Sequence, residues 1–220
     1  LGKCENKIEL DVINFNYSLD ENIAEYMWEK ENLSEIKINS WTNIHGIAYW
    51  NKPLTRSRIN KIHGRKNGKL ASPIFGIDGH DVLSSKNDGI LSLNDPRIVF
   101  TKSFRLIDNQ VNSMRDENHS LQTKIDKIIF FGHSLGHADY SYFETIFDLY
   151  KIMNSDVKLN FYYHKYDTDL KNKESERRML RKVVNLLTSY GETVPNAHGE
   201  NIVNRLVLEQ RLNLIPSPEN

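Results

Sequence analysis

The sequence is short of cysteine, of long apolar runs and of any excess of charge. Its single cysteine, Cys4, cannot form an internal disulfide, and no apolar run approaches the roughly 18 residues that a membrane span needs. Lysine plus arginine (29) equals aspartate plus glutamate (29), so no summed field draws in nucleic acid or an anionic membrane. These absences predict a protein of the reducing cytoplasm with no membrane partner and no strong nucleic-acid footprint.

The start of the chain lacks an initiator methionine, and "LGKCENKIEL" is not a signal peptide with a basic start and an apolar centre. We therefore expect that a segment is missing upstream. With 220 residues the chain is long enough for one well-buried domain and short for two, which predicts a single domain over 1–220.

Strand and helix patterns alternate along the chain. Alternating or short continuous apolar runs predict strands at "KIELDVINFNYS", "EIKIN", "RINKIH", "SPIFGID", "DKIIFF" and "DVKLNFYYH". Helices are predicted after Ser18, from Asn94 or Asp95, after the glycine loop that follows "DKIIFF", through "SERRMLRKVVNLLTSYG" with Gly191 as C-cap, and around "ENIVNRLVLEQRL". This alternation favours an α/β fold with an open, mostly parallel sheet flanked by helices.

One helix carries a strong apolar face. Phe143 and Phe147 are four residues apart in the helix predicted after the glycine loop, so they project from one side and should be buried. In the strand that follows, Val157, Leu159 and Phe161 alternate with polar residues and should face the same core.

The most distinctive stretch is "IIFFGHSLGHADYSYF", in which the loop Gly-His-Ser-Leu-Gly (132–136) follows a predicted strand. G-x-S-x-G at this place is typical of the nucleophile elbow of a serine hydrolase, with Ser134 as the nucleophile. That interpretation needs an acid and a histidine downstream, and His164 lies on a predicted strand rather than in a loop after one. Bulky rings also follow the turn closely, where tight packing usually needs small residues.

Metal binding is a second interpretation of the same loop. His133, His137 and Asp139 are metal-ligand side chains, and two histidines four residues apart can share a metal on one helix face. Here Gly136 lies between them, which argues against one regular helix presenting both. No metal is therefore predicted.

Ligand binding is the third interpretation. A glycine-containing turn between a strand and a helix presents backbone amides to an anion. Gly132, His133, Ser134 and Asp139 are then the cofactor-binding residues. The Ser134 hydroxyl would contact a phosphate or ribose, and Asp139 would cap the helix or accept a ribose hydroxyl. A tight turn without a ligand is the remaining alternative.

Several segments together resemble one protein family. "VINFNYS" (12–18), "INKIHGRKNGKLASPIFGID" (59–78) and "IIFFGHSLGHADYSYF" (128–143) occur in the order found in the AbiH-type bacteriophage abortive-infection proteins. "FYYHKYDTD" and the "NLLTSYG" helix are similar to the end of that family. The resemblance covers most of the chain and implies a role in phage defence, with a phage trigger that it does not identify. The family is distantly similar to the sirtuin-like, Rossmann-type fold, which implies NAD as a candidate ligand or substrate.

The same resemblance implies two catalytic residues. Asn16 in "FNYS" matches a sirtuin asparagine that contacts the nicotinamide ribose region, and His63 in "KIHG" matches the histidine of a His-Gly pair that acts as a base near the ribose hydroxyls. His45 in "NIHG" is a rival for that role. A neutral imidazole suits general-base work because its pKa lies close to neutral pH. The strands before Asn16 and Ser134 are expected to share one sheet, with both residues at the same edge.

The chain departs from the family pattern in two places. Members open with a strand and a G-N-G-F-D-type glycine loop, where a dinucleotide pyrophosphate would lie, and no such segment precedes "FNYS". A chain without this loop lacks the amides that would hold a pyrophosphate, so little or no dinucleotide turnover is expected of it. One cysteine also excludes the four-cysteine zinc module of sirtuin deacylases, so protein deacylation is not predicted. A serine hydrolase and a non-catalytic interaction or sensor module remain as alternatives.

Overall fold

The computed structural model describes residues 8–17, 35–45, 75–79, 96–108, 121–194 and 199–218. The chain divides into two compact units, Leu1–Gln122 and Thr123–Asn220. That the whole chain is one domain stays a prediction. The helix predicted after Ser18, the strand predicted at "RINKIH" and the candidate base His63 lie outside the described residues.

The first unit contains two parallel strands, β1 (Ile8–Asn14) and β2 (Ile36–Asn43). Their register runs from Ile8 opposite Ile36 to Asn14 opposite Asn43. Both strands were expected from their alternating apolar residues. Because the strands are parallel, their carboxyl ends lie at the same edge of the sheet.

An irregularity in this pair gathers polar groups around Asp11. The register shifts between Leu10 and Asp11, so that β2 has one extra residue, Asn39, on its side of the ladder. Asn39 and Ser40 consequently both donate hydrogen bonds of 2.6 Å to Oδ1 of Asp11, and the backbone N–H of Gln122 donates to Oδ2 at 2.7 Å. This carboxylate therefore joins both strands to a third segment of the unit.

The remainder of the described first unit is a short helical region joined to the segment 75–79. A 3-10 helix, Pro96–Phe100, precedes helix α1, Lys102–Asp108. Between them Thr101 forms an isolated parallel bridge with Ile77, and this bridge divides the single helix that the sequence predicts from Asn94 or Asp95. The hydroxyl of Thr101 accepts the N–H of Phe104 at 3.2 Å, which satisfies one of the amides at the start of α1.

The second unit is a three-stranded parallel sheet with helical connections. Its strands pair in the order β3-β4-β5. Its elements in chain order are β3 (Lys127–Phe130), α2 (Tyr140–Leu149), β4 (Lys158–Tyr163), α3 (Asp169–Thr193), α4 (Ile202–Leu208) and β5 (Leu212–Pro216). The expected α/β class with parallel strands flanked by helices is confirmed.

The core of the second unit is aromatic. Phe130 of β3 stacks on Phe161 of β4 with 4.3 Å between ring centroids, and the edge of Phe143 meets Phe130 at 5.6 Å. Phe143 and Phe147 are 1% and 0% exposed, which confirms their predicted burial. The sequence therefore identified the face by which α2 packs on the sheet.

Three details differ from the sequence-based expectation. The described strands form two sheets rather than one, because β1 pairs with β2 whereas β3 pairs with β4. The strand β5 was not predicted. The proposed C-cap Gly191 is wrong, since α3 continues to Thr193; at Gly191 a Cβ would instead collide with the carbonyl of Gly199, so glycine is required there by close packing.

None of the helices in the described ranges is long and apolar enough to cross a membrane.

Candidate functional site

Candidate site residues follow the carboxyl ends of the parallel strands in both units. In the first unit Asn14 and Asn43 face each other in register, and Asn16 and His45 each come two residues later. In the second unit the loop 131–139 follows β3. Ligands of open α/β sheets bind outside the carboxyl ends of the strands, so each of these edges is a place to look for a site.

The backbone of Asn16 is held by the side chain of Asn14. The amide Nδ2 of Asn14 donates to the carbonyl of Asn16 at 3.0 Å, and its Oδ1 accepts the N–H of Asn16 at 3.0 Å. The same Nδ2 donates to Oδ1 of Asn43 at 2.6 Å, which also accepts the indole N–H of Trp41 at 3.1 Å. Asn16 itself is exposed. Its backbone N–H and carbonyl are both held by the buried side chain of Asn14.

The histidine described at this edge is His45, the rival of His63. Its side chain is 4% exposed. The ring of Phe15 meets its imidazole edge-on at 5.4 Å between centroids, and Tyr17 stacks on it at 5.9 Å. The two aromatic neighbours of Asn16 in the sequence thus bracket His45. The role of His63 stays a prediction, and the structure packs the imidazole of His45 against the residues on either side of Asn16 in the sequence.

The loop of the second unit is fixed by an imidazole. Gly132 has φ +66° and Leu135 has φ +53°, so the chain turns twice through the left-handed region. The N–H of Leu135 donates to Nδ1 of His133 at 2.9 Å, and Nε2 of His133 lies 3.2 Å from Oδ2 of Asp139. Because Nδ1 accepts, the neutral ring keeps its proton on Nε2 and donates it to the carboxylate.

This arrangement weakens the serine-hydrolase interpretation. Ser134 is exposed, but the positive φ angles fall on Gly132 and Leu135 rather than on the serine, unlike the strained nucleophile of an elbow. Both ring nitrogens of the adjacent His133 are already engaged, so that imidazole has no lone pair for the Ser134 proton. Burial, aided by Glu144, raises the pKa of Tyr140 to about 12, so this phenol does not act as a base at neutral pH.

The same arrangement makes the loop a poor cradle for a phosphate. Asp139 occupies the N-cap position of α2, but its side chain makes no capping hydrogen bond and contacts His133 instead. A carboxylate at a helix N-terminus already occupies the position that favours an anion and repels a second one. The amide of Leu135 is also used within the loop. A ribose hydroxyl, which can donate to Asp139, suits this chemistry better than a pyrophosphate.

The metal interpretation gains nothing from the geometry. His133 and Asp139 bond to each other, and the ring of His137 stacks on Tyr140 at 5.9 Å between centroids. Among the residues that the structure describes, no group of three or more histidine, cysteine, aspartate or glutamate side chains could hold a metal ion.

Sequence reasoning missed the residues that organise both edges. The pairing of Asn14 with Asn43 depends on the register of β1 and β2, and the pairing of His133 with Asp139 depends on two positive φ angles. Neither follows from spacing along the chain. His45 was named only as a rival to His63, because the strand was predicted at "EIKIN" (35–39) and its observed continuation to Asn43, which brings the strand end to two residues before His45, was not expected.

Comparison with known proteins identifies a family. A family model described as bacteriophage abortive infection AbiH matches residues 3–163 of this chain. That range includes the edges of β1 and β2, the loop after β3, and the whole of β4. No curated protein and no solved structure matches the chain.

Proposed function

The chain belongs to the AbiH family of bacteriophage abortive-infection proteins, and we propose that it acts in phage defence by binding a nicotinamide dinucleotide at the carboxyl edge of β1 and β2. We also propose that the protein consumes this dinucleotide during infection. The proposal extends the family role to a ligand class and to named residues.

The observation that carries the proposal is the paired placement of Asn16 and His45. Each follows a strand of the same parallel pair by two residues, beyond the hydrogen-bonded amides of Asn14 and Asn43. The exposed side-chain amide of Asn16 supplies hydrogen-bonding groups for the hydroxyls of a ribose, and the buried imidazole of His45 lies at the same carboxyl edge. The double contact of Asn14 to the Asn16 backbone fixes the orientation of this edge before a ligand arrives.

Preorganisation is the physical reason that this edge suits a ligand. A binding residue on a mobile segment loses conformational freedom when it binds, which weakens the complex. At Asn16 both backbone polar groups are held by one buried side chain. The exposed amide of Asn16 can therefore contact a ligand with little further ordering of the main chain.

The imidazole of the reaction is proposed to be His45 or His63. A histidine that accepts a proton from a ribose hydroxyl must reach it within hydrogen-bonding distance. His45 is supported by its position beside Phe15 and Tyr17, and His63 by the family resemblance of "KIHG". The loop of the second unit is considered by itself. There, Ser134 and Asp139 are proposed to contact a hydroxyl group of a ligand rather than a phosphate, and Gly132 and His133 are proposed to shape the loop.

The test measures NAD binding by calorimetry and NAD loss by enzymatic assay, with and without an extract of phage-infected cells. Asn16→Ala removes only the side chain, because the bonds to Asn14 are made by the Asn16 backbone. We expect it to weaken binding by about tenfold, the value of one or two lost hydrogen bonds.

Asn204→Ala serves as the control, since Asn204 is an exposed asparagine on α4 of the second unit. It should bind NAD as the unchanged protein does. Equal binding by Asn16→Ala would contradict the placement of the site. If the unchanged protein neither binds nor consumes NAD under any trigger, the interpretation as a non-catalytic interaction or sensor module is favoured. Labelling of Ser134 by a fluorophosphonate probe would instead favour the serine hydrolase.

A further inference from the structure

Three rings in the first unit form a continuous stack from the interior to solvent. His45 stacks on Tyr17 at 5.9 Å between centroids with 29° between ring planes, and Tyr17 meets Phe75 at 5.2 Å with 31°. His45 is 4% exposed and Phe75 is 72% exposed. These three side chains are called the ring stack below. Its inner end, His45, also contacts Phe15, and its outer end, Phe75, is in water.

Phe75 is held in its place rather than left on a loose segment. Two residues later Ile77 donates its N–H to the carbonyl of Phe100 at 3.0 Å and accepts the N–H of Lys102 at 2.9 Å. A Cβ at Gly76 would lie 2.6 Å from that same carbonyl, so the backbone here approaches as closely as only glycine allows. The exposed ring is therefore presented by an anchored strand-like segment.

An exposed phenylalanine in such a position has an open aromatic face. Single exposed apolar residues are common on protein surfaces, but this ring already packs on Tyr17 and lies at the carboxyl edge of parallel strands. A flat heteroaromatic ring stacks readily on aromatic side chains, with offset or tilted geometry preferred. The outer two side chains of the ring stack, Tyr17 and Phe75, carry no charge at neutral pH, which suits a flat ring better than a phosphate.

We infer that the ring stack is the wall on which the planar heteroaromatic ring of a bound nucleotide packs, with Phe75 making the outer contact. This inference rests on the proposed function and adds to it the part of the ligand that is recognised at this edge. Asn16, the exposed residue between Phe15 and Tyr17 in the sequence, is the residue proposed to contact the sugar.

The test compares three variants of Phe75 and one control by calorimetry with NAD, ADP-ribose, adenosine and inorganic phosphate as probes. Phe75→Ala should weaken the binding of NAD and of adenosine by about tenfold to a hundredfold, the usual effect of losing one ring on which a base stacks. Phe75→Trp should bind both probes about as well as the unchanged protein does. The additional tryptophan fluorescence of this variant, relative to the unchanged protein, should be quenched when a base stacks on the new ring. Phe75→Leu, which keeps apolar surface without a π-face, should fall between the two.

Leu208→Ala is the matched surface control, because Leu208 is 83% exposed and lies on α4 of the second unit. It should leave every affinity unchanged. Phe75 is so exposed that its replacement should not unfold the unit, and melting curves of each variant check this.

The outcomes separate the two claims. If NAD binds and Phe75→Ala binds it equally well, the ring stack is not the wall, although the proposed function stands. Phe131 is an exposed ring beside the loop of the second unit. If Phe131→Ala instead loses affinity for the probes, the heteroaromatic ring of the ligand binds at that loop. If adenosine binds in a Phe75-dependent manner and NAD does not, the ring stack is supported and the dinucleotide is wrong. Binding of no probe overturns both.

Discussion

The two units bury different kinds of side chain. Among the described residues, the first unit buries mainly polar groups and the second buries mainly aromatic and aliphatic ones. The buried polar residues of the first unit are Asn14, Ser40, Asn43, His45, Asp78, Thr101 and Lys102, and the largest fully buried residues of the second are Phe143, Phe147, Phe161, Ile152, Leu159, Leu187, Ile202, Leu206 and Val183.

This difference has a physical consequence. Apolar burial supplies most of the free energy of folding, whereas a buried hydrogen bond contributes only about 1 kcal/mol net and costs more when one partner is lost. The second unit therefore has the composition of a stable scaffold. In the described part of the first unit, most of the buried side chains are instead polar, and several of them are held in position by hydrogen bonds.

The largest expected effect is in the core of the second unit. Phe147 is fully buried and meets Phe130 and Tyr190 edge-on, at 6.2 and 5.2 Å between centroids. Phe147→Ala should lower the free energy of unfolding by about 3–5 kcal/mol, because it removes the ring and leaves a cavity. Hydrogen exchange of the amides of β4 and α3, measured under increasing urea, reports this unit by itself.

Phe131→Ala is the control for that substitution. Phe131 is 66% exposed, so its removal should change the unfolding free energy by less than about 0.5 kcal/mol. Unchanged exchange in Phe147→Ala would mean that the aromatic core does not stabilise the second unit, and the contrast between the two units would lose its basis.

Apolar periodicity explains why this half of the fold was predictable. The spacing of Phe143 and Phe147 fixes one helical face, and the alternation of Val157, Leu159 and Phe161 fixes one face of a strand; all five are buried. The strand β5 was missed because "LNLIP" is only five residues long and contains one alternation. Its pairing with β4, from Leu159 opposite Leu212 onward, is a tertiary contact that no local pattern records.

The second prediction concerns the one buried guanidinium described in the second unit. Nη1 of Arg211 donates to the carbonyls of Ile152 and Val157 at 2.9 and 3.2 Å, and Nε donates to Glu209 at 2.7 Å. Arg211→Met should lower the unfolding free energy by about 2–4 kcal/mol, because two buried carbonyls lose their donor. The same exchange experiment measures it.

Arg205→Met is the matched control. Arg205 also bonds to Glu209, at 2.9 Å, but its side chain is 42% exposed. A surface ion pair of this kind contributes about 0–1 kcal/mol, so the variant should be close to the unchanged protein. Equal losses in the two variants would show that the carbonyl contacts of Arg211 add nothing to the contact with Glu209.

The third prediction compares the same chemical pair in the two units. Asn14 donates to Asn43 at 2.6 Å in the interior of the first unit, and Asn213 donates to Asn160 at 3.0 Å in a half-buried position of the second. Asn43→Ala should cost about 1–3 kcal/mol, because the Asn14 amide and the Trp41 indole both lose their acceptor. Asn213→Ala should cost about 1 kcal/mol or less, since water reaches that pair.

Chemical denaturation followed by tryptophan fluorescence measures the first variant, because all three tryptophans of the chain belong to the first unit. Hydrogen exchange of β5 measures the second. Equal costs would mean that burial does not distinguish the pairs. A larger cost for Asn213→Ala would reverse the comparison and place the critical amide pair in the second unit.

Polar pairs of this kind explain why the sites were harder to predict than the core. Asn16 was identified at the end of a strand, but the amide of Asn14 that holds it became visible only with the register of the two strands. His133 and Asp139 were both named as ligand residues from spacing. Their mutual hydrogen bond forms in a loop with positive φ at Gly132 and Leu135, a conformation that spacing does not reveal, and the bond changes what the loop can bind.

The smallest expected effect is a difference in how two carboxylates respond to acid and salt. Burial alone would raise the pKa of Asp11, but hydrogen bonds from the Gln122 backbone N–H, Ser40 and Asn39 outweigh it and hold that pKa below its ordinary value of about 3.8. Hydrogen bonds from Arg205 and Arg211 similarly lower the pKa of Glu209 in the second unit. The donors to Asp11 are neutral, whereas those to Glu209 are cations.

A carboxyl whose folded pKa is lowered contributes stability above its unfolded pKa and loses it as the pH falls through the folded pKa. The first unit should therefore become less stable as the pH falls below about 3.8, and Asp11→Asn should remove that part of the pH dependence. Because 1 M salt screens ion pairs more than hydrogen bonds from neutral groups, it should move the pKa of Glu209 toward its ordinary value and leave that of Asp11 low. Carboxyl carbon shifts, followed by NMR through the acid range at both salt concentrations, measure the two pKa values in one sample. If salt shifts the pKa of Asp11 as far as that of Glu209, charge rather than hydrogen-bond geometry holds the Asp11 carboxylate in the first unit.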